Sequence, residues 1–217
     1  MRYAQIRSMD ISNGEGVGVS LFVQGCDKKP HCKNCFNSDT WDFSGGKEWT
    51  EETKDKFMRL INRPYIKRVS ILGGEPLAEQ NLDGVLDLIQ TIREKYPIPQ
   101  NDNRENPYKL RVSENDNSDE IRISFPEKTI WLYTGFEWDQ IMDIKVIQPI
   151  FSCKDLENKI QNVLKRQEII KQCDVLVDGE YIDKQKDLTL KWRGSKNQRV
   201  IDVQQSLAQN KLVLYCD

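Results

Sequence analysis

Apolar residues along the chain alternate between two periods. The run 17–23 is almost wholly apolar and reads as a buried strand ending at Gln24 and Gly25. Thr50 suits the N-cap of a helix that opens at Glu51 and turns Phe57, Leu60 and Ile61 inward. A second short strand over 68–72 is halted by Gly73 and Gly74. Leu82, Val85, Leu86, Ile89 and Ile92 then recur at helical spacing. A strand over 129–133 closes at Thr134 and Gly135, and a helix over roughly 155–171 places Leu156, Ile160, Val163 and Leu164 on one face. A last core strand, 174–178, precedes Gly179. Strands alternating with helices predict an α/β fold with a largely parallel sheet.

The stretch 97–128 breaks this rhythm. It opens with prolines and asparagines, and two alternating segments around 109–113 and 121–125 flank a polar run. It reads as a surface β-hairpin near 105–127 inserted between a helix and a strand.

Composition narrows the class. At 217 residues, the chain is expected to form a single domain over 1–217 with a full core. A net charge of −2 gives no sign of bulk nucleic-acid binding. No run of about 18 apolar residues offers a membrane span. The first residues lack the apolar core of a signal peptide, so a reducing cytoplasm is the expected location. Clustered cysteines there serve as metal ligands or redox groups rather than disulfides. Cys153, Cys173 and Cys216 are scattered and read as small packed side chains.

Cys26, Cys32 and Cys35 are different. Three cysteines fall within ten residues, directly after the first buried strand. Thiolates suit zinc or iron–sulfur iron, and three of them leave one position open. A zinc site with His31 as fourth ligand is one alternative, although adjacent residues rarely converge on one ion. A thiol redox pair, Cys32 with Cys35, is another, and leaves Cys26 unexplained. The second motif is Gly73, Gly74, Glu75 and Pro76 at the end of the next strand. Loops at the C-terminal ends of parallel strands face one crevice, so the two motifs are expected to meet. Glycines there allow close backbone approach, and Glu75 can accept hydrogen bonds from an ammonium group. The second motif gives a reason that zinc alone does not.

Together these motifs resemble the radical S-adenosylmethionine superfamily. Further blocks at 10–19, 35–37, 40–43, 133–135, 178–179 and 193–199, in order, are similar to the activating proteins of the anaerobic (class III) ribonucleoside-triphosphate reductase. The resemblance implies an incomplete (β/α) barrel. It implies that Cys26, Cys32 and Cys35 hold a 4Fe–4S cluster whose fourth iron takes S-adenosylmethionine. It assigns Gly73, Gly74 and Glu75 to the methionine end of that cofactor and Phe36 to its adenine; Asn34 is expected beside the adenosine, and Tyr133, ending a strand on the same edge, is a further candidate contact. No side chain need act as a general acid or base. The implied reaction is reductive cleavage of S-adenosylmethionine and hydrogen abstraction from a glycine of the reductase. The implied partners are that reductase and an electron donor such as a flavodoxin or ferredoxin. Another substrate for the same chemistry stands as the alternative, with a zinc-stapled binding module behind it.

The cysteine spacing departs from the family, which places three residues and then two between its cysteines. Here five separate Cys26 from Cys32 and two separate Cys32 from Cys35. Five residues reach at most roughly 16 Å, enough for the loop to fold back on one cluster. The segments 97–128 and 143–155 are the extra length relative to the family.

Overall fold

The structure, a computed structural model, describes residues 1–98, 127–142 and 153–216. The inserted hairpin expected near 105–127 lies outside the described residues, as does most of the 143–155 segment. The strands are β1 (Arg2–Asp10), β2 (Gly18–Val23), β3 (Lys47–Glu48), β4 (Arg68–Gly73), β5 (Thr129–Tyr133), β6 (Val175–Asp178), β7 (Arg199–Asp202) and β8 (Leu214–Cys216). The helices are α1 (Glu51–Ile61), α2 (Leu82–Lys95), α3 (Trp138–Met142), α4 (Cys153–Lys171) and α5 (Val203–Gln209).

All eight strands join one mixed sheet in the order β3-β1-β2-β4-β5-β6-β7-β8. Neighbours from β2 through β4 and β5 to β6 are parallel. Both flanks are antiparallel, which corrects the expectation of a largely parallel sheet. For β1 and β2 the reason is connection length. The 11–17 link between β1 and β2 is too short for a crossover, so the pair must run antiparallel.

The helix-covered face carries the larger core. Val19, Leu21, Val23, Val69, Ile71, Ile130 and Leu132 are fully buried there against Leu82, Val85, Leu88, Ile89 and Ile92 of α2. Each such side chain contributes roughly 1.5–3 kcal/mol by leaving water. Thr50 caps α1 by accepting the Thr53 N–H at 3.3 Å. The α4 face differs from expectation. Ile160 and Leu164 are exposed, while Gln167, Ile169 and Ile170 are buried. Gln167 donates to the Ile141 carbonyl at 3.1 Å, so it is the later turns of α4 that meet α3.

On the opposite face, Trp131, Val175, Val177 and Val200 form a second cluster with Tyr133, Trp192 and Tyr215. Arg68 lies fully buried at its lower end. Its guanidinium donates to the carbonyls of Asp10 at 2.7 Å and Glu15 at 3.2 Å, and to that of Asn13, and stands 3.8 Å from the Asp10 carboxylate. A buried arginine is tolerable only with its donors met, and the 10–15 turn supplies the acceptors. Among the described residues, no helix is long and apolar enough to cross a membrane.

Candidate metal centre

The cysteine loop leaves β2 and returns beside itself. Gly25 N–H donates to the Thr40 carbonyl at 2.7 Å, and Cys26 N–H to the Trp41 carbonyl at 3.0 Å. The β4 loop is stitched to the same point: Gly74 N–H reaches the Val23 carbonyl at 3.0 Å, and Glu75 N–H the Gly25 carbonyl at 2.7 Å. The two motifs therefore meet at one end of the sheet, as expected from parallel β2 and β4. Gly73 is demanded by protein backbone. Its φ is +113°, and a Cβ there would lie 2.7 Å from both the N and O of Val23.

Two buried amides hold this junction, and sequence reasoning missed both. Asn81 Nδ2 donates to the Gln24 carbonyl at 3.1 Å and the Glu75 carbonyl at 3.0 Å. Gln24 Nε2 donates to the carbonyls of Asp42 at 2.7 Å and Asp39 at 3.2 Å. The signal available for Gln24 was an amide next to a glycine at a strand end, which is common in turns, and Asn81 carried none.

Glu75 is 2% exposed. Its Oε1 accepts from Thr134 Oγ1 at 2.7 Å and Leu77 N–H at 2.9 Å, and its Oε2 from Gly135 N–H at 2.8 Å. A carboxylate offers about four acceptor positions, so roughly one remains for a ligand. Burial pushes the Glu75 carboxyl up, against the pull of these donors and of Lys28. Lys28 Nζ stands 4.0 Å over the Phe136 ring, which also carries the Arg166 guanidinium at 4.7 Å. Arg166, unremarked in the sequence, is fixed by its Nε on the Leu77 carbonyl at 2.9 Å.

The three cysteines are half-buried and lie within electrostatic range of one another, Cys26 with Cys32 and Cys32 with Cys35. Each sulfur has a backbone N–H beside it: Lys28 at Cys26, Tyr181 at Cys32 and Asn37 at Cys35, the last at 3.4 Å. Burial pushes the Cys26 thiol up to about 11 and also raises Cys32, so neither is primed as a free thiolate. Among the described residues, no three His, Cys, Asp or Glu side chains are gathered closely enough for a single ion. His31 stacks on Trp41, with centroids 4.2 Å apart, and its Nε2 lies 2.9 Å from Lys29 Nζ. A cavity of about 520 Å³ opens beside Cys26, walled by Trp41, Phe43, His31 and Lys29 with Asp27 and Asp42. A three-thiol set with an N–H at every sulfur fits an iron–sulfur cluster.

The other expected site residues divide. Asn34 has φ 56° and donates from Nδ2 to Asp183 at 2.9 Å. Phe36 is 56% exposed and packs on Tyr181, ring centroids 4.9 Å apart. Tyr133 joins the Trp131 cluster; its buried hydroxyl has no hydrogen-bond partner among the described residues. Thr134 and Gly135, not Tyr133, reach Glu75.

A single 4Fe–4S cluster domain is what this sheet and cysteine loop define: the 4Fe-4S single cluster domain family matches residues 12–111 and 116–201. Relatives narrow the class. The anaerobic ribonucleoside-triphosphate reductase-activating protein of Vibrio cholerae is 31% identical over 200 residues, spanning 91% of this chain and 96% of that protein. Its counterparts in Escherichia coli K12 and in Enterobacteria phage T4 are 30% and 29% identical, each over 92% of this chain. The chain belongs to the anaerobic ribonucleoside-triphosphate reductase-activating protein family.

Proposed function

We propose that this protein is the glycyl-radical activating enzyme of an anaerobic ribonucleoside-triphosphate reductase, a single radical S-adenosylmethionine domain over 1–217 built as an incomplete barrel. The observation that carries the reading is the junction of the three cysteines, each sulfur beside an N–H, with the Gly73, Gly74 and Glu75 loop. Family membership supports the reaction and the reductase as its protein substrate. When bound, the cluster and S-adenosylmethionine supply the one-electron cleavage and the hydrogen abstraction from glycine.

The chain's own residues hold and shield. Cys26, Cys32 and Cys35 bind iron. Glu75 directs its remaining acceptor position, and the Gly74 backbone its polar edge, toward the amino-acid end of S-adenosylmethionine. Lys28 and Arg166 place positive charge beside the same end, where the cofactor carries a carboxylate. Asn34 and Phe36 border the adenosine, and Tyr133 lines the sheet face below. Half-buried cysteines leave a face open for a protein loop and for an electron donor of the flavodoxin or ferredoxin kind. The working location is a reducing cytoplasm.

The test is anaerobic reconstitution with iron and sulfide, followed by dithionite, S-adenosylmethionine and a class III reductase. The expected result is 5′-deoxyadenosine together with a glycine-centred radical signal on the reductase. A protein that forms 5′-deoxyadenosine but no glycyl signal would move the reading to another substrate. A colourless protein holding one zinc would overturn it.

A further inference from the structure

The 180–183 segment, which the reaction as proposed does not use, touches the cysteine loop at three places. Near Cys26, Glu180 pairs with Lys28 Nζ at 3.3 Å. At Cys32, the Tyr181 backbone lies beside the thiol. Just past Cys35, the Tyr181 ring packs on Phe36. Asp183 ties these contacts together: Oδ2 accepts from Asn34 Nδ2 at 2.9 Å, and Oδ1 from the Tyr181 hydroxyl at 2.9 Å.

Asn34 sits inside the Cys32-to-Cys35 turn, which is closed by Cys35 N–H on the Cys32 carbonyl at 3.3 Å. Its left-handed backbone is one of three such non-glycine positions among the described residues. Asparagine tolerates that conformation better than most residues, but a partner for its side chain is what holds it there. Asn34 is exposed and Tyr181 and Asp183 are half-buried at the surface, so each bond adds little to global stability. Their shared target is the loop. N–H donors to cluster sulfurs set both cluster retention and reduction potential.

We propose that Asp183 is a positioning residue: by accepting Asn34 and Tyr181 at once, it fixes the Cys32-to-Cys35 turn against the 180–183 segment. This rests on the reading of the three cysteines as cluster ligands. Asp183→Ala releases both donors, Tyr181→Phe releases one, and Asp183→Asn retains one acceptor oxygen.

The experiment uses the reconstituted full chain. Asp183→Ala should melt with the wild type, lose iron to a chelator about tenfold faster, and shift the midpoint potential followed by electron paramagnetic resonance. Tyr181→Phe and Asp183→Asn should move the same quantities less, and they carry the test if Asp183→Ala does not fold. In the metal-free protein, Cys32 should alkylate faster in Asp183→Ala than in wild type, read by peptide mass spectrometry. Wild-type chelation rate, potential and alkylation in these variants would overturn the proposal. A wild-type chain that takes up no iron would instead overturn the cluster reading, and the alkylation comparison would still decide whether Asp183 positions the turn.

Discussion

Gly74 lies so close to Gly25 that a Cβ on Gly74 would stand 2.2 Å from the Gly25 carbonyl oxygen and 3.0 Å from that of Thr40. Those two carbonyls belong to the start and the return of the cysteine loop, so Gly74 is where the two motifs are pressed together.

Gly74→Ala should therefore separate them. Both neighbours are backbone and cannot swing aside, so the substitution should cost about 3 kcal/mol. Urea unfolding measures that loss, and cluster uptake should fall with it. Wild-type stability in Gly74→Ala would mean that the β4 loop can move away from Gly25.

Glu75 joins the ends of β4 and β5 through Thr134, Gly135 and Leu77. Glu75→Gln leaves one acceptor oxygen and turns an amide N–H₂ toward a backbone donor, costing about 1–3 kcal/mol. Thr134→Val removes the donor to Glu75 and the acceptor of the Phe136 N–H at 3.1 Å, at about 1 kcal/mol for each bond. Thermal melts should place both variants below wild type, and S-adenosylmethionine cleavage should fall with them. Equal melting of all three would show that this tie is not structural.

Asp10 predicts an acid-sensitive fold. Burial opposes its ionisation, but hydrogen bonds from the Asn13 and Ser12 side chains and the Ser12 and Asn13 N–H groups prevail and bring its carboxyl down to about 2. A folded value below the unfolded one gives stability that is complete above about pH 5 and lost as pH falls toward 2. The contribution is about 2 kcal/mol. Asp10→Asn should lower stability at pH 7 and flatten its decline between pH 5 and pH 3, measured by urea midpoints. An unchanged acid slope would rule the carboxylate out as its source.

Cysteine variants separate ligand from core. Cys32→Ala should lose the visible absorbance of the cluster, S-adenosylmethionine cleavage and reductase activation together. Cys173 is fully buried, with its Sγ on the Ile169 carbonyl at 3.2 Å. Cys173→Ala should keep its iron and cost about 1 kcal/mol, as for a small core truncation. Iron analysis of both decides; cleavage surviving in Cys32→Ala would refute the ligand assignment.

What the sequence determined by itself was local or continuous. Strands β2, β4, β5 and β6 were legible because they are buried on both faces and read as apolar runs. The α2 stripe and the Thr50 cap depend on neighbours within a turn or two. The cysteine cluster and Gly73, Gly74 and Glu75 were legible because their chemistry is carried by a few adjacent residues. Strand β1 was not: its exposed, charged positions hide an edge pairing that only β2 and β3 reveal. Strands β7 and β8 are too short to show a period. The tertiary structure alone decided that Asn81 bridges Gln24 and Glu75, that Glu75 is already tied to three protein donors, and that Asp183 reaches Asn34 across 149 residues of chain. Such partners are chosen by where strand ends and loops converge in space. A hydrogen-bonding side chain reads the same in sequence whether its partner is water or a residue half the chain away.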